Sequence, residues 1–135
     1  MSGAESDPLA RKAHADLIVE RAAEQMRGLL HEAVADLDPF PPFPGAFFTF
    51  AIEVEPGAAA SPDKGCLAVG ADGELYELVI GMDFSGEATD PVAARNEEMK
   101  KLDLHPADYL VYAYQALSRV TELLLEQAEA KGKDA

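Results

Sequence analysis

GCLAVGADGELYELVIGM, residues 65–82, is the stretch whose reading decides the fold. At its centre lies Asp72-Gly73. An Asp-Gly pair signals a two-residue β-hairpin turn, because both turn positions need a positive φ that aspartate tolerates and glycine adopts freely. The flanks read as strands over about 65–71 and 74–82. A two-residue turn pairs Val69 with Tyr76 and Leu67 with Leu78, and directly opposed residues point to the same side of a sheet. Leu67, Val69, Tyr76, Leu78 and Ile80 are then expected on the core face. Cys66, Ala68, Gly70, Leu75, Glu77 and Val79 are expected on the other.

That second face has a small-residue floor. Cys66, Ala68 and Gly70, flanked by Leu75 and Val79, predict a shallow apolar trough able to take a helix, a second subunit or a flat ligand. These five residues are the candidate interface, and a homodimer is the expected assembly, because an open three-stranded sheet has two edges to cover or pair.

Upstream, Phe48, Phe50, Ile52 and Val54 alternate with Thr49, Ala51, Glu53 and Glu55, predicting a strand over Ala46–Glu55. Residues 56–64, PGAAASPDK, read as a loop. Before the strand, DPFPPFPG (38–45) cannot be helical, since its prolines lack donors and lock φ. It reads as a lid carrying Phe40 and Phe43 onto the core. The first helix is expected from Ser6 or Asp7 to about Leu37, with Pro8 in its first turn. Its apolar face holds Ala15, Val19, Ala22, Ala23, Met26, Leu29, Leu30, Ala33 and Leu37. Gly28 falls on the opposite side.

Downstream, DFSGEATD (83–90) reads as a loop, and Asp90-Pro91 starts a short helix over 91–102. His105-Pro106 starts a long last helix to about Lys131, with Leu110, Ala113, Tyr114, Leu117, Val120, Leu124 and Ala128 as its apolar face. The predicted class is α+β: a three-stranded antiparallel meander packed by long N-terminal and C-terminal helices, topology α-β-β-β-α-α. Residues 7–131 are expected to form one domain, with flexible ends at 1–6 and 132–135.

Composition narrows the function classes. Of 135 residues, 48% are apolar and 27% charged, an ordinary globular balance. Cys66 is the single cysteine, so no intrachain disulfide forms, which suits a reducing compartment. Met1–Asp7 carries no basic region, and no run approaches the roughly 18–20 apolar residues of a membrane span. The expected location is cytoplasmic, with no membrane partner. A net charge of −14 repels phosphate backbones, so no nucleic acid is expected, while a basic protein segment is a permitted partner.

The chemical motifs fail on residue identity. His31-Glu32 is followed by Ala35 where a zincin helix needs histidine, and Gly28 replaces the glutamate of an E-x-x-H pair. Cys66 has no C-x-x-C companion. A calcium loop beginning at Asp83 would need glycine and glutamate where Ala88 and Ala94 stand. Neither a metal nor another cofactor is expected. Cys66 and Ser85 lack the surroundings of an activated nucleophile, and no catalytic residue is assigned.

Two functional expectations follow. The first is a non-enzymatic protein-interaction or regulatory module acting as a homodimer. The second is a small-molecule binding protein or weak enzyme, with a pocket between the sheet, the proline-rich lid and the last helix, lined by Phe40, Phe43, Tyr76 and Tyr114.

Overall fold

The computed structural model describes residues 7–44, 49–54, 66–82 and 95–133. The first helix, α1, spans Pro8–Ala35. Asp7 caps it: its backbone is extended and its carboxylate accepts from the Leu9 N–H at 3.0 Å. Pro8 sits in the first turn, where a missing N–H costs nothing. The chain leaves α1 through a cis Asp38–Pro39 bond.

Among the described residues four strands follow, then one helix. They are β1 (Ile52–Val54), β2 (Cys66–Val69), β3 (Leu75–Met82), β4 (Arg95–Lys101) and α2 (Pro106–Lys133). The strands form one antiparallel sheet in the order β1-β2-β3-β4. The α+β class and the antiparallel meander are as expected, but the described elements run α-β-β-β-β-α.

The fourth strand is the main correction. Arg95–Lys101 falls inside the short helix expected over 91–102 from the Asp90-Pro91 start, and all of its residues but Asn96 are good helix formers. It instead pairs along the whole of β3, from Tyr76 opposite Lys101 to Met82 opposite Arg95. Ladder pairing outweighs a propensity worth a few tenths of a kcal/mol per residue. Of the strand expected over Ala46–Glu55, only Ile52–Val54 pairs among the described residues, and Phe50 stands 61% exposed. The expected loops 56–64 and 83–90 lie outside the described residues.

The hairpin forms, but its register differs by one residue. Gly70 N–H donates to the Glu74 carbonyl at 3.0 Å, and Gly73 N–H donates to the Gly70 carbonyl at 2.9 Å. The loop is therefore Ala71-Asp72-Gly73, with Gly73 alone at positive φ (+80°). This is the three-residue solution: a tight turn followed by a left-handed glycine bulge. Val69 consequently faces Leu75, Ala68 faces Tyr76 and Cys66 faces Leu78. A one-residue slip exchanges the faces of one strand relative to its neighbour. The predicted core set of Leu67, Val69, Tyr76 and Leu78 is thus divided between the two faces.

The helix-side face holds Ile52, Val54, Leu67, Val69 and Leu75, all buried. They pack with Leu30 and Val34 of α1 and with Tyr112, Ala113, Ala116 and Val120 of α2. The other face is covered by the proline-rich segment: Phe43 packs on Ala51, Ala68 and Leu78, with Met99 at the margin. Phe43 N–H donates to the Thr49 carbonyl at 3.0 Å, holding that cover in place. Phe43 is a lid as expected, but over the second face rather than the helical core.

The helices run in the same direction. Arg27 lies 4.7 Å over the Tyr109 ring near the start of α2. Gln127, near the end of α2, accepts from Asp38 N–H and donates to the Pro39 carbonyl, both at 3.0 Å. Of the expected apolar face of α2, Ala113 and Val120 are buried and Leu110, Leu117 and Leu124 pack against the core, whereas Tyr114 is 60% exposed and Tyr109, Tyr112 and Ala116 are buried in addition.

Candidate functional site

The candidate interface residues do not share a face. Cys66, Ala68 and Gly70 lie on the Phe43 side with Tyr76 and Leu78, whereas Leu75 and Val79 belong to the helix side. Ala68 is fully buried and Leu75 nearly so, while Cys66 and Val79 are exposed. A side chain at Gly70 would meet the Tyr76 ring at 2.8 Å, so the expected trough is already filled there by the chain's own tyrosine.

The candidate pocket residues are also dispersed. Phe40 packs against the helical core, Phe43 against the second face, Tyr76 lies over Gly70, and Tyr114 faces outward. A cleft of about 540 Å³ does lie between the proline-rich segment, β1 and α2. Its described lining includes Pro41, Pro44, Glu53, Ser118, Arg119 and Glu122, and none of the four aromatic residues. The Arg119–Glu122 pair, at 2.8 Å, keeps its wall charged.

The denser chemistry is a groove where α1, the hairpin, β4 and the start of α2 meet. The hairpin tip approaches α1 so closely that a methyl at Gly73 would lie 2.7 Å from the His31 ring and 3.0 Å from its Cα. That approach delivers Glu74 to α1. Its carboxylate lies 2.5 Å from His31 Nε2, 3.2 Å from Lys101 Nζ and 3.6 Å from Arg27 Nε. Burial pushes the Glu74 carboxyl up, but the His31 and Lys101 hydrogen bonds and the Arg27 and Lys101 charges outweigh it. The group stays below the usual carboxylate range.

Beside it, the Tyr76 hydroxyl donates to Asp72 at 2.5 Å, and Asp72 also accepts the Glu74 N–H at 3.0 Å. Burial raises the Asp72 carboxyl, yet these donors hold it below its ordinary value. The same hydrogen bond, with burial and the nearby acids, pushes the Tyr76 phenol up to about 12. Tyr109 closes the groove. Its hydroxyl is buried with no hydrogen-bond partner among the described residues, and burial pushes its phenol up against the pull of Arg27.

Three basic side chains thus converge on one carboxylate in a chain with 25 acids and 11 bases. Chemically, this groove can hold a charge in place and present donors to an anion. Sequence reasoning missed it, because Arg27, His31, Glu74, Lys101 and Tyr109 come from four separate segments. The one local signal is the spacing of Arg27 and His31, four residues apart on one side of α1.

A second unusual surface is the start of α1. From Pro8 to Ala22 no residue is buried, and Leu9, Leu17 and Ile18 are 81%, 40% and 56% exposed. The cause is geometric: Arg27 already lies beside Tyr109, three residues into α2, so earlier turns of α1 have no α2 alongside. They project over roughly 22 Å at 1.5 Å per residue.

Among the described residues no three of His, Cys, Asp and Glu gather as a metal-binding set, and no helix is long and apolar enough to cross a membrane. No protein-family model, no curated protein and no solved structure matches the chain.

Proposed function

We propose that the chain is a non-enzymatic interaction module that works as a homodimer and engages a protein partner through the projecting turns of α1. The observation that carries this reading is the uncovered Pro8–Ala22 segment with its exposed Leu9, Leu17 and Ile18. Apolar side chains on an uncovered helical arm are the kind of anchor that a helix lays into a partner's groove. The arm itself is near neutral, with Arg11, Lys12 and Arg21 against Asp16 and Glu20, so the preference for a partner segment rich in lysine or arginine rests on the field of the whole chain, at −14.

The test has two parts. Light scattering at micromolar concentration is expected to give twice the chain mass, and a monomer mass removes the homodimer. Titration with a basic amphipathic peptide is expected to show binding that weakens with salt and with the Leu17→Ser/Ile18→Ser variant. Binding indifferent to both removes the arm as the contact.

A second reading, a binding site for a small anion in the Arg27–His31–Lys101 groove, is favoured by the buried, unpartnered Tyr109 hydroxyl. Thermal denaturation with acetate and with inorganic phosphate tests it. A stabilisation abolished by Tyr109→Phe supports the site, and an unchanged midpoint with both anions removes it.

A further inference from the structure

The sheet has two edges, and they differ in length: β1 offers three residues and β4 seven. Among the described residues no strand lies beyond β4. Its outward backbone groups can be assigned from the ladder. Leu102 N–H donates to the Leu75 carbonyl at 3.0 Å, continuing the register in which Lys101 faces Tyr76. Antiparallel ladders alternate, so Glu98 and Lys100 turn their backbone groups toward β3, while Glu97, Met99 and Lys101 turn theirs outward. A long edge of this kind is a template for another strand.

The side chains of this edge read as their own complement. Along Glu97-Glu98-Met99-Lys100-Lys101, two acids are followed by a central methionine and two bases. If a second copy is laid antiparallel with Met99 opposite Met99, Glu98 falls opposite Lys100 and Glu97 opposite Lys101. Every charge then faces its opposite, on both faces of the sheet. Glu97 already accepts from the Thr49 hydroxyl at 2.8 Å and Lys101 already reaches Glu74 at 3.2 Å. The complementarity that counts most therefore falls on Glu98 and Lys100, both exposed.

Moving the two-fold axis by one residue either way, which shifts the register by two, loses this. Centred on Glu98, the pairing sets Glu98 against itself and Arg95 against Lys101; centred on Lys100, it sets Lys100 against itself. Charge balance points the same way. Arg95–Lys101 holds three bases against two acids, in a chain whose total is −14. Two copies that repel elsewhere do not repel here.

We propose that β4 is the dimer edge: two copies join by antiparallel β4–β4 pairing about a two-fold axis through Met99, merging two four-stranded sheets into one of eight strands. This rests on the homodimer reading above and names its surface. Met99 packs at the margin of the Phe43–Ala51–Ala68–Leu78 cluster. Pairing sets two Met99 side chains side by side and joins the second-face clusters of both copies. A self-pairing interface of this kind is isologous, as a closed dimer requires.

The experiment is a charge-reversal set read by sedimentation: wild type, Glu98→Lys, Lys100→Glu, and both together. Each single change sets like charges opposite each other twice in the dimer and is expected to weaken it by roughly tenfold or more. The double change restores opposite charges and is expected to recover the dimer. Lys100 also lies opposite Glu77 within the chain, so circular dichroism accompanies each variant, and a second probe avoids charge altogether. Cysteine at position 99 in a Cys66→Ala background (M99C/C66A) is expected to form a covalent dimer on mild oxidation. Opposed residues in a hydrogen-bonded pair lie at about 5.5 Å between Cα atoms, within disulfide reach. A wild-type dimer with no crosslink at position 99 and no effect of the single charge changes overturns the β4 edge and leaves the homodimer standing. A wild-type monomer overturns both.

Discussion

Pro8–Ala22 and Ala23–Ala35 belong to one unbroken helix whose apolar face runs from Ala15 across both, yet only the second half is built into the fold. Ala23, Leu30 and Val34 are buried against the sheet and α2, while nothing from Pro8 to Ala22 is buried. The first half holds its shape by local means: the Asp7 cap, Pro8 in the first turn, and the Lys12–Asp16 ion pair one turn apart. The second half is held by tertiary contacts and by the Glu74 hub that grips Arg27 and His31. The difference teaches that amphipathic patterning reports what a helix can bury, whereas neighbouring elements decide how much of it is buried.

The sharpest way to break this comparison is to truncate one apolar residue in each half. Leu30→Ala removes a fully buried side chain and is expected to cost about 2–5 kcal/mol. Ile18→Ala is expected to change stability by less than about 0.5 kcal/mol. Urea unfolding measures both, and equal costs would mean that the first half is packed after all.

Gly73→Ala comes next. It forces a side chain at positive φ into the backbone of His31, and about 1–3 kcal/mol should be lost as the hairpin lifts from α1. The thermal midpoint reads this directly.

Glu74→Gln tests the hub. With partners that are 43–64% exposed, the loss at neutral pH should be only about 1 kcal/mol. The Glu74 carboxyl is held below its ordinary value of 4.5, so the unfolded chain binds its proton more readily. The stability it contributes is present above that value and is lost as pH falls through the lower folded value. The variant should therefore show a flatter acid limb when unfolding is followed across a pH series.

The smallest effect has the opposite sign. Nothing lies within 4 Å of a side chain built at Gly28, so Gly28→Ala should stabilise the protein by about 0.5–1 kcal/mol through helix propensity alone.

Legibility followed the range of the forces involved. The start of α1 at Asp7-Pro8, its end before Asp38-Pro39 and the start of α2 at His105-Pro106 were readable, because capping and proline chemistry act within a few residues. The existence of the hairpin was readable; its register was not. Asp72-Gly73 fits a two-residue turn as well as the last two positions of a three-residue loop, and the choice is made when Gly73 packs on His31. Strand β4 was misread because Met99 is the only apolar residue among its seven, leaving no alternation to detect. The groove was invisible for a different reason. Its residues acquire their chemistry only from each other, across segments whose meeting depends on that same register.

The three-residue turn carries a consequence for how this chain can vary. Opposed residues of a hairpin share a face whatever the loop between them, so β2 and β3 stay matched as long as Gly70 and Glu74 flank the turn. A residue gained or lost within Ala71–Gly73 leaves that pairing available and alters instead the glycine seat against His31. Length changes at this tip should therefore show in how closely the hairpin approaches α1, not in which strand side chains are buried.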